Sequence, residues 1–319
     1  MDSVVGIVIL NYNSAADTIN CIQSVLTKNT YSDIRIVLVD NNSRQPERDI
    51  LLSFISGYPL LKIDEKTNVL SEGFKLPLFS YLQMSENVGY ARGNNAGLRL
   101  LYADDVVEYI MILNSDVLFV DDIIPNLVAE CNKKQDVAFL SPILYKKNKV
   151  DIDYNCARLN HNNWEIILSF FFWFFDIFGI LSRMENNRQI LKKAPELLNS
   201  DLINVDLPSG SCLFIRKEVM RKIGGFDSNT FLYFEENILF KKVSQLGLKN
   251  YVLANIKAIH VGASSTSKSS NSFVLISCVN SACYYLRTYG DMSFLQTVCL
   301  YFARIFIRIK VFLIKKLKN

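Results

Sequence analysis

The chain has 319 residues, 50% hydrophobic and 21% charged, with a net charge of +4; this suits one large α/β domain with additions and is too little charge to argue for nucleic acid as a partner. Seven cysteines, odd in number, scattered and without a C-x-x-C pair, speak against a zinc site or disulfide framework and fit the reduced thiols of a cytoplasmic protein. Two histidines exclude a His-rich metal site.

No basic n-region or cleavage site precedes Val4–Leu10, so this first apolar run is expected to be a strand and not a signal peptide. It stops at the polar cluster Asn11, Tyr12, Asn13 and Ser14, which favours a turn. Ala15–Lys28 places Ile19, Ile22, Val25 and Leu26 on one side of a helix. A second strand, Ile34–Val39, stops at Asp40, Asn41, Asn42 and Ser43, and the resulting β-α-β opening carries the right-handed crossover of such units. Glu47–Ser56 is expected to be helical, whereas Gly57–Ser80 shows no clear pattern. A third strand is expected over Tyr81–Ser85, then a helix to Leu101 that carries Gly89, Gly93 and Gly97. Spaced four residues apart, these glycines line one side of a helix and let it approach a sheet or a ligand closely. They match neither G-x-G-x-x-G nor G-x-x-x-x-G-K-[ST], so dinucleotide and P-loop readings lose their main support.

The stretch Tyr109–Val117 (YIMILNSDV) organises the rest. Its apolar run suits a buried strand of a parallel sheet and ends abruptly at Asn114, Ser115 and Asp116. Ligands of open α/β sheets bind at the carboxyl ends of strands, so Asp116 is placed to hold a cation or a polar ligand. A plain turn, with Asp121 or Asp122 starting the next helix, is the alternative. Asp122–Lys133 is expected as helix and Val137–Ser141 as strand, after which the alternation weakens. Residues 182–204 are polar without a period and are expected to form a mobile or acceptor-side loop. Cys212–Ile215 reads as strand, Lys217–Ile223 as a short helix and Gly224–Asp227 as a turn. Glu235 and Glu236 then stand at the start of a helix to about Leu246, followed by Tyr251–Ala254 and His260.

Two apolar segments remain. Ile166–Leu181 is shorter than the roughly 20 residues of a spanning helix and contains Asp176, which leaves an interfacial helix, a buried helix or a partner surface. From Met292 to Asn319 there is no acidic residue. On a helix, Arg304, Arg308, Lys315 and Lys318 share one stripe, with Phe302, Ile305, Phe306, Ile309, Phe312 and Leu313 elsewhere, the pattern of a basic amphipathic helix on an anionic membrane surface.

The stretches ILNYN (9–13), LVDNNS (38–43), ENVGYARGNNAG (86–97), ILNSDV (112–117), GSCLFIRKEVMRKIGGFD (210–227), FLYFEEN (231–237) and His260 resemble, in that order, the family 2 glycosyltransferases, especially the bacterial rhamnosyltransferase-like branch that builds surface polysaccharides. The resemblance implies an α/β protein of GT-A fold: a Rossmann-like, mostly parallel mixed sheet flanked by helices. It would occupy residues 1–266, with a nucleotide-binding half to about residue 120 and an acceptor half over 121–266. Residues 267–319 would form a helical, membrane-associating tail.

The same resemblance implies an inverting, metal-dependent transfer of a hexosyl or deoxyhexosyl group from a nucleoside-diphosphate sugar to a lipid-linked glycan. The site would be peripheral at the inner face of a bacterial plasma membrane. A departing diphosphate needs a hard divalent cation, Mg²⁺ or Mn²⁺, for which carboxylate oxygens are suited. Asp116 is the implied metal ligand and His260 a further contact. Relatives often read Asp-x-Asp where this chain has Asn114, which can bond a ribose or a metal-bound water without adding charge. Asp40 would bind the nucleobase edge, with Asn11 and Tyr12 flanking the base and Arg92 and Asn94 near the diphosphate or the sugar. Inversion needs a base beside the acceptor hydroxyl. Glu236 aligns with the family's aspartate base, with Glu235 fixing the acceptor or the local backbone; simple complementation of a helix dipole is the bland alternative. Glu236 and Ile238 both stand where relatives carry Asp. These departures support a second reading, a catalytically degenerate domain that binds a sugar nucleotide or acts as a scaffold. Nucleotidyl transfer would want a Gly-rich, basic loop after the first strand, which ILNYNS is not.

Overall fold

Aliphatic runs too short for helices and buried along nearly their whole length make the central strands of this chain, as parallel sheets covered on both faces require. The computed structural model describes residues 3–65, 74–175, 184, 186–262 and 271–318. Strands β1 (Val4–Asn11) and β2 (Ile34–Asp40) flank α1 (Ala15–Lys28), and α2 (Gln45–Ile55), β3 (Leu60–Asp64) and β4 (Phe79–Gln83) follow. Next come α3 (Gly89–Ala103), β5 (Val107–Asn114), β6 (Val117–Phe119), α4 (Ile123–Lys133) and β7 (Val137–Lys146). The chain continues with β8 (Ala157–Arg158), α5 (Asn163–Phe175), α6 (Ile190–Lys193), β9 (Leu202–Val205), β10 (Leu207–Pro208) and β11 (Cys212–Arg216). It ends with α7 (Lys217–Lys222), α8 (Glu235–Ser244), β12 (Lys249–His260), α9 (Asn271–Tyr289) and α10 (Phe294–Lys318).

The main sheet runs β3-β4-β2-β1-β5-β11-β7-β12-β6, and β9 adds to β12 off this path. From β3 to β5 every pairing is parallel. β11 enters antiparallel between β5 and β7, and β6 and β9 are antiparallel to β12. Register sets the carboxyl ends level: Asn11 lies opposite Asp40, and Leu10 opposite Asn114. The chain leaves β1 toward β2 on one side and reaches β5 on the other, so this edge is the topological switch point where such sheets open a crevice.

Helix α3 covers one face of the strands on its glycines. A Cβ on Gly93 would lie 2.5 Å from Leu10 and one on Gly97 2.6 Å from Val8, so the close approach expected from their spacing is realised against the sheet. Two expectations need correction, and one that was left open narrows. The third strand of the sequence reading lies two residues earlier, at β4, and β3 falls inside the unpatterned stretch; a five-residue edge strand with Lys62 and partial exposure has no clean alternation to read. Within 182–204, expected as a loop, the described residues from 186 on form α6, the 3₁₀ turn Pro195–Asn199 and the start of β9, with Arg188 and Gln189 buried. Elements this short carry no readable period. Ile166–Phe175 is helical, and Ile166, Ile167 and Phe170 are buried; the remainder of that apolar run, 176–181, lies outside the described residues.

Helices α9 and α10 share a small core with α5 and α8: Ile166, Ile167 and Phe170 pack with Ile238, Leu286, Leu300, Ala303 and Ile307. Two tyrosines of α9, Tyr284 and Tyr289, donate to Asp227 Oδ2 at 2.8 and 2.6 Å. The other side of α10 leaves Phe294 86% exposed, with Leu295, Tyr301, Phe302, Ile305 and Ile309 also exposed. Among the described residues no helix is long and apolar enough to cross a membrane.

Gly97→Val forces two methyl groups onto Val8 and Val39 and is expected to destabilise the protein by about 1–3 kcal/mol. The midpoint of urea unfolding measures it, and an unchanged midpoint would show that α3 can lift from the sheet without loss.

Candidate active site

The polar stops of β1, β2 and β5 meet at one level, and their shared polarity is organised before any ligand arrives. Asn11 and Asp40 are both fully buried. Asn11 Nδ2 donates to Asp40 Oδ2 at 2.8 Å and to Ser43 Oγ at 3.0 Å, while its Oδ1 accepts from Ser14 Oγ and Thr18 Oγ1. Asp40 Oδ1 accepts the Ser43 N–H at 2.8 Å. A buried carboxylate demands such partners. Asn41 extends the system: its amide donates to Asn87 Oδ1 at 2.9 Å and accepts the Val88 N–H at 3.0 Å, fixing the approach to α3.

Above this layer lies a cavity of about 350 Å³. Tyr12, Asn114 and Asp116 on the sheet's edge border it, as do Glu235, Glu236 and His260. Six of the ten expected site residues are thus brought to one cavity. Asn11 and Asp40 lie beneath its wall. Arg92 and Asn94 lie away from it: Arg92 Nε donates to Ser228 O at 2.9 Å, and buried Asn94 donates to Tyr90 O at 3.0 Å.

Asp116 sits in the tight connection between β5 and β6, and strand pairing explains its neighbour. β6 pairs with β12 so that Val117 faces His260, and the Val261 N–H donates to Asp116 O at 2.9 Å. His260 Nε2 comes 3.7 Å from Asp116 Oδ2, and Nδ1 lies 3.1 Å from Asp153 Oδ2. Burial disfavours the imidazolium, but the hydrogen bond to Asp153 and the charges of Asp116 and Asp153 outweigh it and raise the His260 pKa. Burial also opposes ionisation of Asp153, yet the hydrogen bonds from His260 and the Asn155 N–H keep its carboxyl below the usual range. The other histidine is of a different kind. Burial first, then the Arg188 and Arg158 charges, push His161 down to about 3, and its Nδ1 accepts from Arg188 at 2.9 Å.

The glutamates are presented by a strained turn. Tyr233 and Phe234 have φ of +72° and +68°, a left-handed conformation costing roughly 1–2 kcal/mol for each residue with a Cβ. Its neighbours hold it. The Tyr90 N–H donates to Phe231 O at 2.8 Å, Ser281 Oγ to Leu232 O at 2.9 Å, and the Phe234 ring meets Tyr285 at 5.5 Å. Gly89, with φ +83°, has no room for a Cβ, which would stand 2.5 Å from Phe231 O. From this turn Glu236 Oε1 accepts the Gly210 N–H at 3.0 Å and lies 3.6 Å from Arg158 Nη2. Glu235 is only 7% exposed, and its Oε1 has no hydrogen-bond partner among the described residues. Burial, and then the neighbouring Glu236 charge, push its carboxyl up to about 8.

Asp153, Arg158, Asn41, Asn87 and Gly210 were not singled out by the sequence. Asn41, Asn87 and Gly210 lay within the quoted motifs, where they could have been found. Asp153 and Arg158 lie where the alternation fades, and their partners are 107 and 78 positions away.

No group of three or more His, Cys, Asp or Glu residues is arranged to hold a metal among the described residues. The donor chemistry nonetheless fits a hard cation that takes its other ligands from phosphate and water. Asp116 is 7% exposed, and its Oδ2 lies 3.7 Å from His260 Nε2 on the wall of the cavity.

Because the folded-state pKa of Glu235 lies above its ordinary value of 4.5, the folded protein keeps a proton that the unfolded chain releases first. The stabilisation is complete below about pH 4.5 and is lost as pH rises through about 8. Glu235→Gln is expected to remove a stability slope of up to about 1.4 kcal/mol per pH unit across that window. Urea unfolding at several pH values reads it; parallel profiles for variant and parent would refute the assignment.

The model of "Glycosyl transferase family 2" matches residues 6–224, which spans the sheet edge, Asp116 and β11. No curated protein matches the sequence. Among solved structures, the "Crystal structure of GalNAc-T7 with UDP, GalNAc and Mn2+" is similar at a TM-score of 0.61 and 11% identity, over 91% of this chain and 48% of that one. The chain therefore spans about half the length of that relative, and the likeness carries the fold, which is GT-A. With the motifs in family order and the family model covering more than half of the chain, the protein belongs to glycosyl transferase family 2.

Proposed function

We propose that this chain moves a sugar, with inversion, from a nucleoside-diphosphate donor to a lipid-linked oligosaccharide at the inner face of a bacterial plasma membrane. The observation that carries the reading is one cavity bordered both by Asp116 with His260 and by the pair Glu235 and Glu236: cation ligands and a candidate base within one substrate's reach. A fold neighbour determined with UDP and Mn2+ supports a nucleotide-sugar donor. The rhamnosyltransferase-like branch and a role in surface polysaccharide rest on motif order alone.

Asp116 and His260 would hold Mg²⁺ or Mn²⁺, which would supply charge neutralisation for the departing diphosphate. Asn114 and Tyr12, on the sheet edge, contact the donor, and Asn11 and Asp40 set the height of that edge. Glu236 accepts the proton of the acceptor hydroxyl. Glu235, protonated at neutral pH, donates its hydrogen bond to the acceptor and carries no competing charge. Like charges this close cannot both persist in a buried site, which divides the two roles.

The degenerate-scaffold reading is favoured by Ile238, which stands where relatives carry Asp. Ile238 is buried in the core shared with α9 and α10, where an unpaired carboxylate would be costly. This departure serves packing and leaves the base position itself acidic.

Incubating the purified protein with a panel of sugar nucleotides and Mn²⁺, and following nucleoside diphosphate release, separates enzyme from scaffold. Asp116→Ala is expected to abolish cation-dependent donor binding in calorimetric titrations while leaving the melting temperature intact; undiminished affinity would return Asp116 to the role of a turn residue. Glu236→Gln is expected to lower turnover by about 10²-fold or more with donor binding spared, and Glu235→Gln to raise the acceptor KM. A dead Glu235→Gln beside a normal Glu236→Gln would reverse the two assignments.

The membrane contact of this proposal rests on α10. At 100° per residue, Arg304 and Arg308 stand beside the exposed band of Phe294, Tyr301, Phe302, Ile305 and Ile309, and the opposite face, Leu300, Ala303 and Ile307, is buried. Replacing both arginines by alanine removes about 2 kcal/mol of attraction, roughly 30-fold in affinity for anionic vesicles. Equal co-sedimentation of variant and parent would rule this surface out.

A further inference from the structure

We propose that Asp153 is the positioning residue that makes His260 a cation ligand. The inference rests on the cation reading of Asp116 and His260 given above. Asp153 belongs to none of the motifs that carry the family likeness, and it reaches the site from the segment after β7.

An imidazole has one lone pair to give when neutral, and the atom that offers it is the one opposite its N–H. His260 Nδ1 lies 3.1 Å from Asp153 Oδ2, and Nε2 lies 3.7 Å from Asp116 Oδ2. A carboxylate only accepts, so in the neutral ring Nδ1 carries the proton and donates it to Asp153. The Nε2 lone pair then faces Asp116 on the cavity side, where both residues form part of the wall. Rings that bind metals are characteristically fixed in this way by a carboxylate on the far nitrogen.

Asp153 is itself held rigidly. Its N–H donates to Leu144 O of β7 at 2.9 Å, and its Oδ1 accepts the Asn155 N–H at 3.1 Å, capping the turn Tyr154–Cys156. β7 pairs in parallel with β12, placing Lys146 opposite His260. The ring is thus the last residue of β12, Asp116 immediately precedes the neighbouring β6, and Asp153 follows the neighbouring β7 and is tied back to it through Leu144.

His161 provides an internal control. Its Nδ1 accepts from Arg188, so its proton sits on Nε2, the opposite tautomer. The chain has only these two histidines, and ¹⁵N spectra of the histidine-labelled, metal-free protein in alkaline buffer are expected to show one ring of each kind. Asp153→Ala is expected to move His260 alone away from the Nδ1–H form. It is also expected to weaken Mn²⁺ binding about 10-fold or more, read by electron paramagnetic resonance without and with UDP. Asp153→Asn keeps an oxygen that accepts from Nδ1 and caps the turn, and is expected to restore most of the affinity and the tautomer. Asp116→Ala and His260→Ala are run beside them. If those two weaken Mn²⁺ binding and Asp153→Ala changes neither affinity nor tautomer, the role of Asp153 is overturned while the cation reading stands. If Asp116→Ala leaves Mn²⁺ binding unchanged, both fall.

Discussion

A carboxylate without contact with solvent sits at the carboxyl edge of the sheet, and much of the molecule is arranged to satisfy it. Asp40 is closed off by Asn11 and by the backbone of Ser43; Asn11 in turn draws in Ser14 and Thr18 at the start of α1. An ion so placed is tolerable only if every one of these donors stays where it is. The network therefore ties the ends of β1 and β2 and the start of α1 to a common level, and Tyr12, Asn41 and Asn114 stand on that level. That edge of the cavity rests on a carboxyl group that is itself fully buried.

The other side is built on opposite terms. Where the sheet edge gives its left-handed positions to Asn13 and Asn42, residue types that tolerate them, the turn before α8 puts two aromatic residues in that conformation and leads into a glutamate with an oxygen left unpartnered among the described residues. Such features persist only when the surroundings over-determine them. Tyr90, Ser281 and Tyr285 supply that constraint from α3 and α9. Glu235 and Glu236 are thereby positioned by α3 and α9 rather than by the loop that bears them.

These two kinds of construction explain what could be read from the residues alone. β1, β2 and β5 are long aliphatic runs with polar stops, and α1 is a clean amphipathic helix; their bounds follow from local pattern. The same pattern marked Asp40 and Asp116 alike as polar stops, yet one is enclosed and the other borders the cavity. Only the register of β6 against β12 distinguishes them. Arg158 near Glu236 and Asp153 beside His260 are long-range contacts between a weakly patterned segment and distant elements, which no local period encodes. Likewise, the basic stripe over Met292–Asn319 made α10 legible as a helix, whereas the core that α9 and α10 share with Ile238 was not.

That common core bears on how the protein is made. The ribosome releases β1 to β12 first, and these include every strand of the sheet and all the residues that border the cavity from its edge. The hydroxyl of Ser281 and the rings of Tyr284, Tyr285 and Tyr289 emerge afterwards, and they hold Leu232, Asp227 and Phe234. A nascent chain can thus complete the strands of its sheet while the glutamate turn still lacks its brace. The brace of the glutamate turn is synthesised after the turn itself, together with the helices that close the core over Ile238, so the left-handed Tyr233 and Phe234 are held only once α9 is made.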